Sequence, residues 1–244
     1  MIMKIGLQLY SAKELTEKDF FGTLEQVAKI GYQGVEFAGY FGTDPVTLKQ
    51  KLEELGLAAA ASHLMLNEPQ KPVDFEKKLG NRCLIHPHYS INCVEDVEAA
   101  VKMLSAARDY LLPLGFEIGY HNHAHEFTKY GDKCALDTIF ESIPELICEL
   151  DVFWAAYAKT DPAEYLRKYS GRIPIIHIKD LNSNGKSTEV GSGLLDIKSI
   201  VQAARDGKTE WLIVEQEDFE KYPVMDSLRI SYEFLNDLIN ADTL

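Results

Sequence analysis

Three histidines and a glutamate lie within the six positions 121–126, where their side chains could bind a metal ion or transfer protons. They are His121, His123, His125 and Glu126. An apolar run that begins at Phe116 leads into them and is typical of a strand. Because side chains alternate along a strand, His121 and His123 face the same way. The alternative is a solvated loop whose histidines only satisfy local hydrogen bonds.

The elements that would position these side chains alternate between strand and helix. Apolar segments predict strands at 4–10, 34–38, 57–63, 83–88, from 116, 146–152, 173–179 and 211–217. Helices are predicted at 18–30, 45–55, 75–79, 94–112, 136–141, 162–169, 197–204 and 226–239. This alternation predicts an α/β protein, a closed (β/α)8 TIM barrel that forms one domain over residues 1–244. An open doubly wound sheet is the alternative, but no Gly-x-Gly-x-x-Gly follows the first strand.

All seven histidines fall at or just beyond the end of a predicted strand. They are His63, His86, His88, His121, His123, His125 and His177. In a barrel these ends form one face, which carries the chemistry. The acidic residues at the same level are Glu36, Glu126, Asp151 and Glu215. The clustering predicts an active site on that face.

Strands five to eight predict a metal site, because each ends in one ligand-type residue. These residues are His121, Asp151, His177 and Glu215. Two imidazoles and two carboxylates suit Mn²⁺, Zn²⁺ or Fe²⁺. Structural alternatives are a turn cap for Asp151, an ion-pair partner for Glu215 and a core histidine for His177.

Two further glutamates share the inward parity of these strands but lie deeper. Glu117 precedes His121 by four positions and Glu149 precedes Asp151 by two. At about 3.3 Å per residue, such offsets place them below a shared ion. We interpret both as a lower polar layer without chemistry, with Lys4 as a candidate counter-charge.

Several motifs together resemble a known family. They are Tyr-His-Asn-His-x-x-Glu-Phe at 120–127, Leu-Asp at 150–151, His-Ile-Lys-Asp at 177–180, Gly-x-Gly-x-x-Asp at 191–196 and Val-Glu-Gln-Glu at 214–217. The chain resembles the sugar phosphate isomerase/epimerase family, a xylose isomerase-like barrel group that includes ketose 3-epimerases, inosose dehydratase and endonuclease IV. Segments 6–11 and 31–36 match it too, so the resemblance covers nearly the whole chain.

The resemblance implies a metal site of Glu, Asp, His and Glu from strands five to eight. It carries over onto Asp151, His177 and Glu215, while the first glutamate has no clear counterpart. His121 falls nearest its place, as in the dehydratase-like branch, and His123 is the alternative. Trp154 stands where many members have a histidine that the multi-zinc endonucleases need, which argues against DNA repair.

The chemistry implied is proton abstraction next to the carbonyl of a keto sugar, with the ion as Lewis acid. Glu215 is the predicted base, and Glu126 the opposing acid/base or a hydroxyl anchor. Predicted substrate-binding residues are His123, Lys179, Trp154, His63 and Glu36. Lys179 could instead be an external salt-bridge partner, and Trp154 a core residue.

Other reactions stay open. Because His121 takes the place of a glutamate, symmetric epimerisation is disfavoured against isomerisation or a lyase/dehydratase elimination from a 3-keto sugar. A metal-free sugar-binding barrel would also tolerate the missing glutamate. Phosphodiester hydrolysis would need a second metal and basic phosphate contacts, for which the sequence offers few candidates.

Composition narrows the partners. The 244 residues carry 25 Lys and Arg against 38 Asp and Glu, a net charge of −13, which argues against nucleic acid and anionic membranes. The amino terminus leads into a strand without a signal-like segment, and four scattered cysteines read as reduced thiols. The prediction is a cytoplasmic enzyme with a sugar substrate and no membrane partner; a homo-oligomer is left open.

Overall fold

Eight parallel strands close into a barrel in the computed structural model, which describes residues 3–241. They are β1 (Lys4–Gln8), β2 (Gly34–Phe37), β3 (Ala58–His63), β4 (Cys83–His86), β5 (Glu117–His121), β6 (Ile147–Asp151), β7 (Ile175–Ile178) and β8 (Trp211–Val214). Each strand pairs with the next along the chain, and β8 closes the ring on β1. The predicted (β/α)8 fold is therefore confirmed, while the predicted limits at 1 and 244 lie outside the described residues.

Helices surround the barrel. They are α1 (Lys13–Thr16), α2 (Phe20–Ile30), α3 (Pro45–Leu55), α4 (Val73–Leu79), α5 (Val94–Leu111), α6 (Ala135–Ser142), α7 (Val152–Tyr157), α8 (Pro162–Lys168), α9 (Ile197–Asp206) and α10 (Val224–Asn240). Short 3-10 turns span Leu9–Ala12, Leu112–Leu114 and His125–Phe127. Across residues 3–241, none of the helices combines the length and the apolar character that crossing a membrane requires.

Local chemistry sets several of these boundaries. Asp44 and Asp161 cap α3 and α8 by accepting backbone N–H bonds in the first turn, with proline at the first helical position of each. Gly56 ends α3 in the left-handed region, at a φ of 67°.

Three strands end two or more residues before their predicted ends. Strands β1, β4 and β8 end at residues 8, 86 and 214, before the predicted ends at 10, 88 and 217. Helix α7 follows β6 directly and was not predicted. Several candidate site residues consequently lie on loops at the carboxyl end of the barrel.

Apolar side chains fill the amino-terminal half of the barrel interior. This plug consists of Ala60, Ala61, Ile85, Ile175, Trp211 and Ile213. Glycines on the neighbouring strands make room for it, since a Cβ at Gly34 would lie 2.5 Å from Trp211 and one at Gly119 would lie 2.4 Å from Ile85. The plug forms the floor beneath the polar residues described next.

Candidate active site

Inward-facing positions change from apolar to ionisable along the last three strands. The inward columns read Ile147, Glu149 and Asp151 from β6, Ile175, His177 and Lys179 from β7, and Trp211, Ile213 and Glu215 from β8. Period-two alternation therefore stacks charged groups on top of the apolar plug. All of these charged side chains are buried.

Four side chains converge at the carboxyl end of the barrel, and we call them the metal cluster: His121, Asp151, His177 and Glu215. One ligand atom of each lies within 4.8 Å of the others. His121 Nε2 is 3.5 Å from Asp151 Oδ2, and His177 Nδ1 is 3.1 Å from Glu215 Oε2 and 4.0 Å from Asp151 Oδ2. A tetrahedral site with bonds of about 2.0–2.2 Å has ligand–ligand edges of about 3.3–3.6 Å. The observed distances between ligand atoms, 3.1–4.0 Å, span this range.

Hydrogen bonds orient the two imidazoles toward the centre of the metal cluster. His121 Nδ1 lies 3.2 Å from the Pro87 carbonyl, which can only accept, so His121 Nε2 is left with its lone pair. His177 Nε2 lies 2.6 Å from Glu36 Oε2, which turns Nδ1 toward the cluster.

Two buried atoms of the metal cluster lack a hydrogen bond. His121 Nε2 and Asp151 Oδ2 have no such partner among the described residues, although they face each other. The other carboxylate oxygen, Asp151 Oδ1, accepts the backbone N–H of Trp154 at 3.0 Å. Asp151 Oδ2 has the Lys179 ammonium 3.4 Å away, but no hydrogen bond. Burying polar atoms without hydrogen bonds is costly, and a divalent cation between them would remove that cost. The residues present therefore fit a divalent metal.

The geometry favours His121 over His123 as the first ligand. His123 instead groups with His88 and Glu126 on the neighbouring loops. Its ring lies 5.0 Å from that of His121 and 5.5 Å from that of Trp154, measured between centroids.

Lys179 is part of the same charged layer. Its Nζ lies 2.8 Å from Glu215 Oε2, 3.4 Å from Asp151 Oδ2 and 2.7 Å from Glu217 Oε1, and the side chain is 1% exposed. Burial alone would lower the pKa of Lys179, but the three carboxylates outweigh burial and raise it. The alternative of an external salt bridge is therefore wrong.

Glu149 lies in a polar layer below the metal cluster, as interpreted from the sequence, and its close partners are histidines. Glu149 Oε2 lies 2.6 Å from His63 Nε2 and 3.4 Å from His177 Nε2. In the pairing of β5 with β6, Glu149 is the register partner of His121. Glu117, in contrast, is exposed at the amino end of β5. Lys4 stacks on Trp211, with Nζ 5.1 Å from the ring centroid.

Below the metal cluster lies a second group, which we call the inner network: Glu36, His63, Glu149 and His177. Burial and the neighbouring Glu36 raise the pKa of Glu149 well above its usual value. Burial also opposes ionisation of Glu36, yet His63 and His177 outweigh it and lower the pKa of Glu36 to about 2. One carboxyl of the pair therefore keeps a proton while the other is ionised. Within the inner network, the 2.6 Å contacts of His63 with Glu149 and of His177 with Glu36 are hydrogen bonds. We therefore interpret the inner network as support for His177 rather than as an ion site.

A cavity of about 370 Å³ opens above the metal cluster. Its lining residues are Tyr10, Ala38, His63, Pro87, His88, His121, His123, Glu215 and Glu217. Glu36 was predicted to bind substrate, but it has no exposed surface and is not among the residues that line the cavity. Its place is beneath His177, where it also accepts a hydrogen bond of 2.8 Å from Gln8.

Glu126 lies on the 3-10 turn after β5, with its carboxylate engaged by the loop. Tyr120 Oη donates to Glu126 Oε1 at 2.6 Å, and the His123 backbone N–H donates to Oε2 at 2.9 Å. Its side chain does not line the cavity. These contacts suit an anchor for the loop, and they leave the opposing acid–base role to another residue.

Sequence reasoning missed Glu217 and Tyr10. Both line the main cavity and also a neighbouring one of about 270 Å³. Glu217 shares the parity of Glu215, so alternation along the predicted strand could have indicated it. Tyr10 follows β1 on a 3-10 turn, and no local pattern marks its position.

Comparison with known proteins places this geometry in a family. Residues 24–238 match the model described as Xylose isomerase-like TIM barrel. Inosose dehydratase of Geobacillus kaustophilus (strain HTA426) is 24% identical, over 80% of this chain and 79% of that protein. The inosose dehydratase of Lacticaseibacillus casei is 23% identical, over 84% and 83%.

Solved structures share the fold. A sugar phosphate isomerase/epimerase from Parabacteroides distasonis ATCC 8503 superposes with a TM-score of 0.84 at 24% identity, over 99% of this chain and 97% of that chain. The IolI protein, solved with a binding zinc atom, superposes with a TM-score of 0.77 at 17% identity, over 97% and 98%. The resemblance read from the motifs is confirmed, and the chain belongs to the xylose isomerase-like TIM barrel family.

Proposed function

We propose that the chain is a divalent-metal-dependent enzyme that removes the proton next to the carbonyl of a keto sugar. The observation that carries this proposal is the convergence of four ligand atoms, two of them buried without a hydrogen bond, beneath a cavity. Further support comes from the zinc atom in the IolI structure and from relatives named as dehydratases. Mn²⁺, Zn²⁺ and Fe²⁺ all suit two imidazoles and two carboxylates.

The metal cluster would hold the ion, which when bound would polarise the carbonyl and the adjacent hydroxyl as a Lewis acid. Glu215 is the proposed base because it lines the cavity and stays ionised. Burial would raise the pKa of Glu215, but Lys179 and His177 outweigh it and hold the pKa well below its usual value. Lys179 also fixes the carboxylate in place through its 2.8 Å contact.

The opposite wall of the cavity carries imidazoles. Burial lowers the pKa of His63, and burial together with the neighbouring His121 lowers the pKa of His123 to about 3. Neutral imidazoles each offer one donor and one acceptor, which suits sugar hydroxyls. His63 and His123 would therefore orient the substrate with its acidic C–H toward Glu215.

Dehydration is the second candidate. Of the described residues that line the cavity, the carboxylates Glu215 and Glu217 both follow β8. Epimerisation through carboxylates on both faces of one carbon lacks its second carboxylate here, whereas isomerisation and elimination need a carboxylate base on one face only. The inosose dehydratase relatives favour elimination.

The proposed substrate is unphosphorylated. The cavity above the metal cluster, of about 370 Å³, suits a single sugar ring. No lysine or arginine is among the described residues that line this cavity. Lys179 lies deeper and contacts three carboxylates already. Apart from the proposed metal ion, the described lining offers a phosphate no free cation beside Glu215 and Glu217.

Deuterium exchange tests the proposal. Metal-loaded protein in D₂O is incubated with a panel of keto sugars, and NMR follows loss of the proton beside the carbonyl and the appearance of product. Exchange that disappears on chelation and returns with the metal is expected. Two results would contradict the enzyme and favour a sugar-binding barrel. One is a metal-loaded protein that exchanges the proton of no sugar on the panel, and the other is a metal-free protein that binds the sugars as tightly as the metal-loaded protein does.

A further inference from the structure

A second group of imidazoles lies at the mouth of the cavity, and we call it the rim cluster: His88, His123 and Glu126. His88 follows β4 by two residues, His123 follows β5 by two, and Glu126 lies in the turn His125–Phe127. One ligand atom of each lies within 4.8 Å of the other two. None of these residues belongs to the metal cluster or to the inner network.

We propose that the rim cluster is a second transition-metal site, separate from the metal cluster. Two imidazoles and one carboxylate make the ligand set of sites for Zn²⁺ and similar ions, which keep an open position for water or substrate. Mg²⁺ and Ca²⁺ prefer oxygen ligands, so they fit less well.

The carboxylate of the rim cluster is held in place before any ion binds. Tyr120 Oη and the His123 backbone N–H each donate to a different oxygen of Glu126, at 2.6 and 2.9 Å. Each oxygen keeps a further lone pair, because an ionised carboxylate accepts about four hydrogen bonds. Contacts of this kind orient a metal ligand and lower the cost of ordering it.

An unpaired nitrogen lies in the same group. His123 Nδ1 is shielded from solvent and has no hydrogen-bond partner among residues 3–241. A histidine that served only to pack the loop would be expected to satisfy a shielded nitrogen. The unpaired atom is an independent indication that the ring serves a ligand.

A third imidazole is poised beside the rim cluster. His125 Nε2 lies 2.9 Å from the Tyr89 carbonyl, which makes Nε2 the donor and leaves Nδ1 with its lone pair. That Nδ1 is 3.3 Å from Glu126 Oε2, and the His125 ring lies 5.3 Å from that of His88 between centroids. His125 could therefore supply a fourth ligand after a small side-chain rotation.

Access and location agree with this role. His88 is exposed and, with His123, lines the main cavity, so an ion could enter from solvent. Since the two clusters share no residue, both ions could be bound at once. An ion at the rim would face the outer end of a bound sugar, away from Glu215.

The test is a zinc titration of tag-free, metal-stripped protein by calorimetry, with bound metal counted after desalting. Wild-type protein is expected to bind two Zn²⁺ per chain. His88→Ala should retain one ion and weaken the second by at least about tenfold, the loss seen even when only a partner of a ligand is removed. Asp151→Asn should weaken the other ion instead.

Asn92→Ala, in the same exposed loop, is the matched control and should bind two ions, because the Asn92 side chain hydrogen-bonds Asp96 and not the rim cluster. His88→Gln provides a second variant of similar size, and circular dichroism checks the fold of each protein. One ion per chain in wild-type protein, or two equally tight ions in His88→Ala and His88→Gln, would overturn the rim site. Neither result would contradict the proposed ion in the metal cluster, because Asp151→Asn tests that ion separately.

Discussion

The imidazole of His177 is hydrogen-bonded to the carboxylate of Glu36, with Nε2 2.6 Å from Oε2. This contact turns His177 Nδ1 toward Asp151 and Glu215. Neither residue of the pair has exposed surface, so the contact lies wholly inside the barrel. A carboxylate behind a histidine raises its basicity and fixes its ring, and Glu36 is therefore the residue on which the geometry of the metal cluster depends.

Replacing Glu36 tests that dependence. Glu36→Gln should keep the barrel folded, because an amide oxygen still accepts from His177, but should lower metal affinity by about 10–100-fold. Competition with a chelator measures the change. Glu76→Gln is the matched control, since Glu76 is also buried but hydrogen-bonds Tyr40 and Asn81 outside the barrel. Equal affinities in wild type and Glu36→Gln would contradict the role of Glu36.

The raised pKa of Glu149 predicts how the stability of metal-free protein depends on pH. Between the unfolded value near 4.5 and the raised folded value, the folded chain holds one more proton at Glu149. Stability should therefore fall as pH rises through this window, by up to about 1.4 kcal/mol per pH unit. His177, whose pKa is also raised, adds a loss in the same direction only above about 6.5.

Glu149→Gln removes the first of these losses. The variant should show a flatter stability profile than wild type between about pH 4.5 and 6.5, measured by urea unfolding in the presence of a chelator. Both proteins should lose stability toward lower pH, because Asp151 and Glu215 have lowered pKa values and must be protonated there. Parallel profiles across the window would show that Glu149 ionises normally.

Removing Lys179 should destabilise metal-free protein more than metal-loaded protein. Lys179→Met leaves Asp151, Glu215 and Glu217 without their shared cation, and breaking a buried pair costs about 3–5 kcal/mol. A bound divalent ion offsets part of that charge, so added metal should raise Tm by more in the variant than in wild type. Thermal melts with and without metal measure the difference.

Lys186→Met is the control for this experiment. Lys186 pairs with Glu220 at 2.7 Å on the surface, where both side chains are about half exposed. Such a pair is worth about 0–1 kcal/mol, and the response to metal should match that of wild type. If added metal raised Tm equally in Lys179→Met and Lys186→Met, Lys179 would not be electrostatically coupled to the metal cluster.

The charge of the cavity predicts a preference for unphosphorylated substrates. A keto sugar that exchanges deuterium should do so with kcat/KM at least about tenfold higher than its phosphate ester, which corresponds to about 1.4 kcal/mol of repulsion. Glu217→Gln keeps the hydrogen-bonding shape beside Lys179 and removes one negative charge, so the ratio should narrow. A phosphate ester that is preferred by wild type would reverse the assignment of the substrate.

Local pattern was enough to predict the barrel and the members of the metal cluster. The alternation of apolar strands with helices predicted the parallel ring, and the order of the strands predicted which four residues would be neighbours. Parity along each strand is a local property, so His121, Asp151, His177 and Glu215 could be assigned to the interior from the sequence. Family motifs supported the last three and left the choice between His121 and His123 open.

The partners of each buried side chain, in contrast, were decided by the tertiary structure. Counting residues along β6 placed Glu149 below the site, but its contacts with His63 and His177 join β6 to β3 and β7. Lys179 has its partners at the end of β6 and after β8, and no local spacing predicts those contacts. Residue type and parity are written along the chain, whereas strand stagger and long-range pairing arise only when the barrel closes.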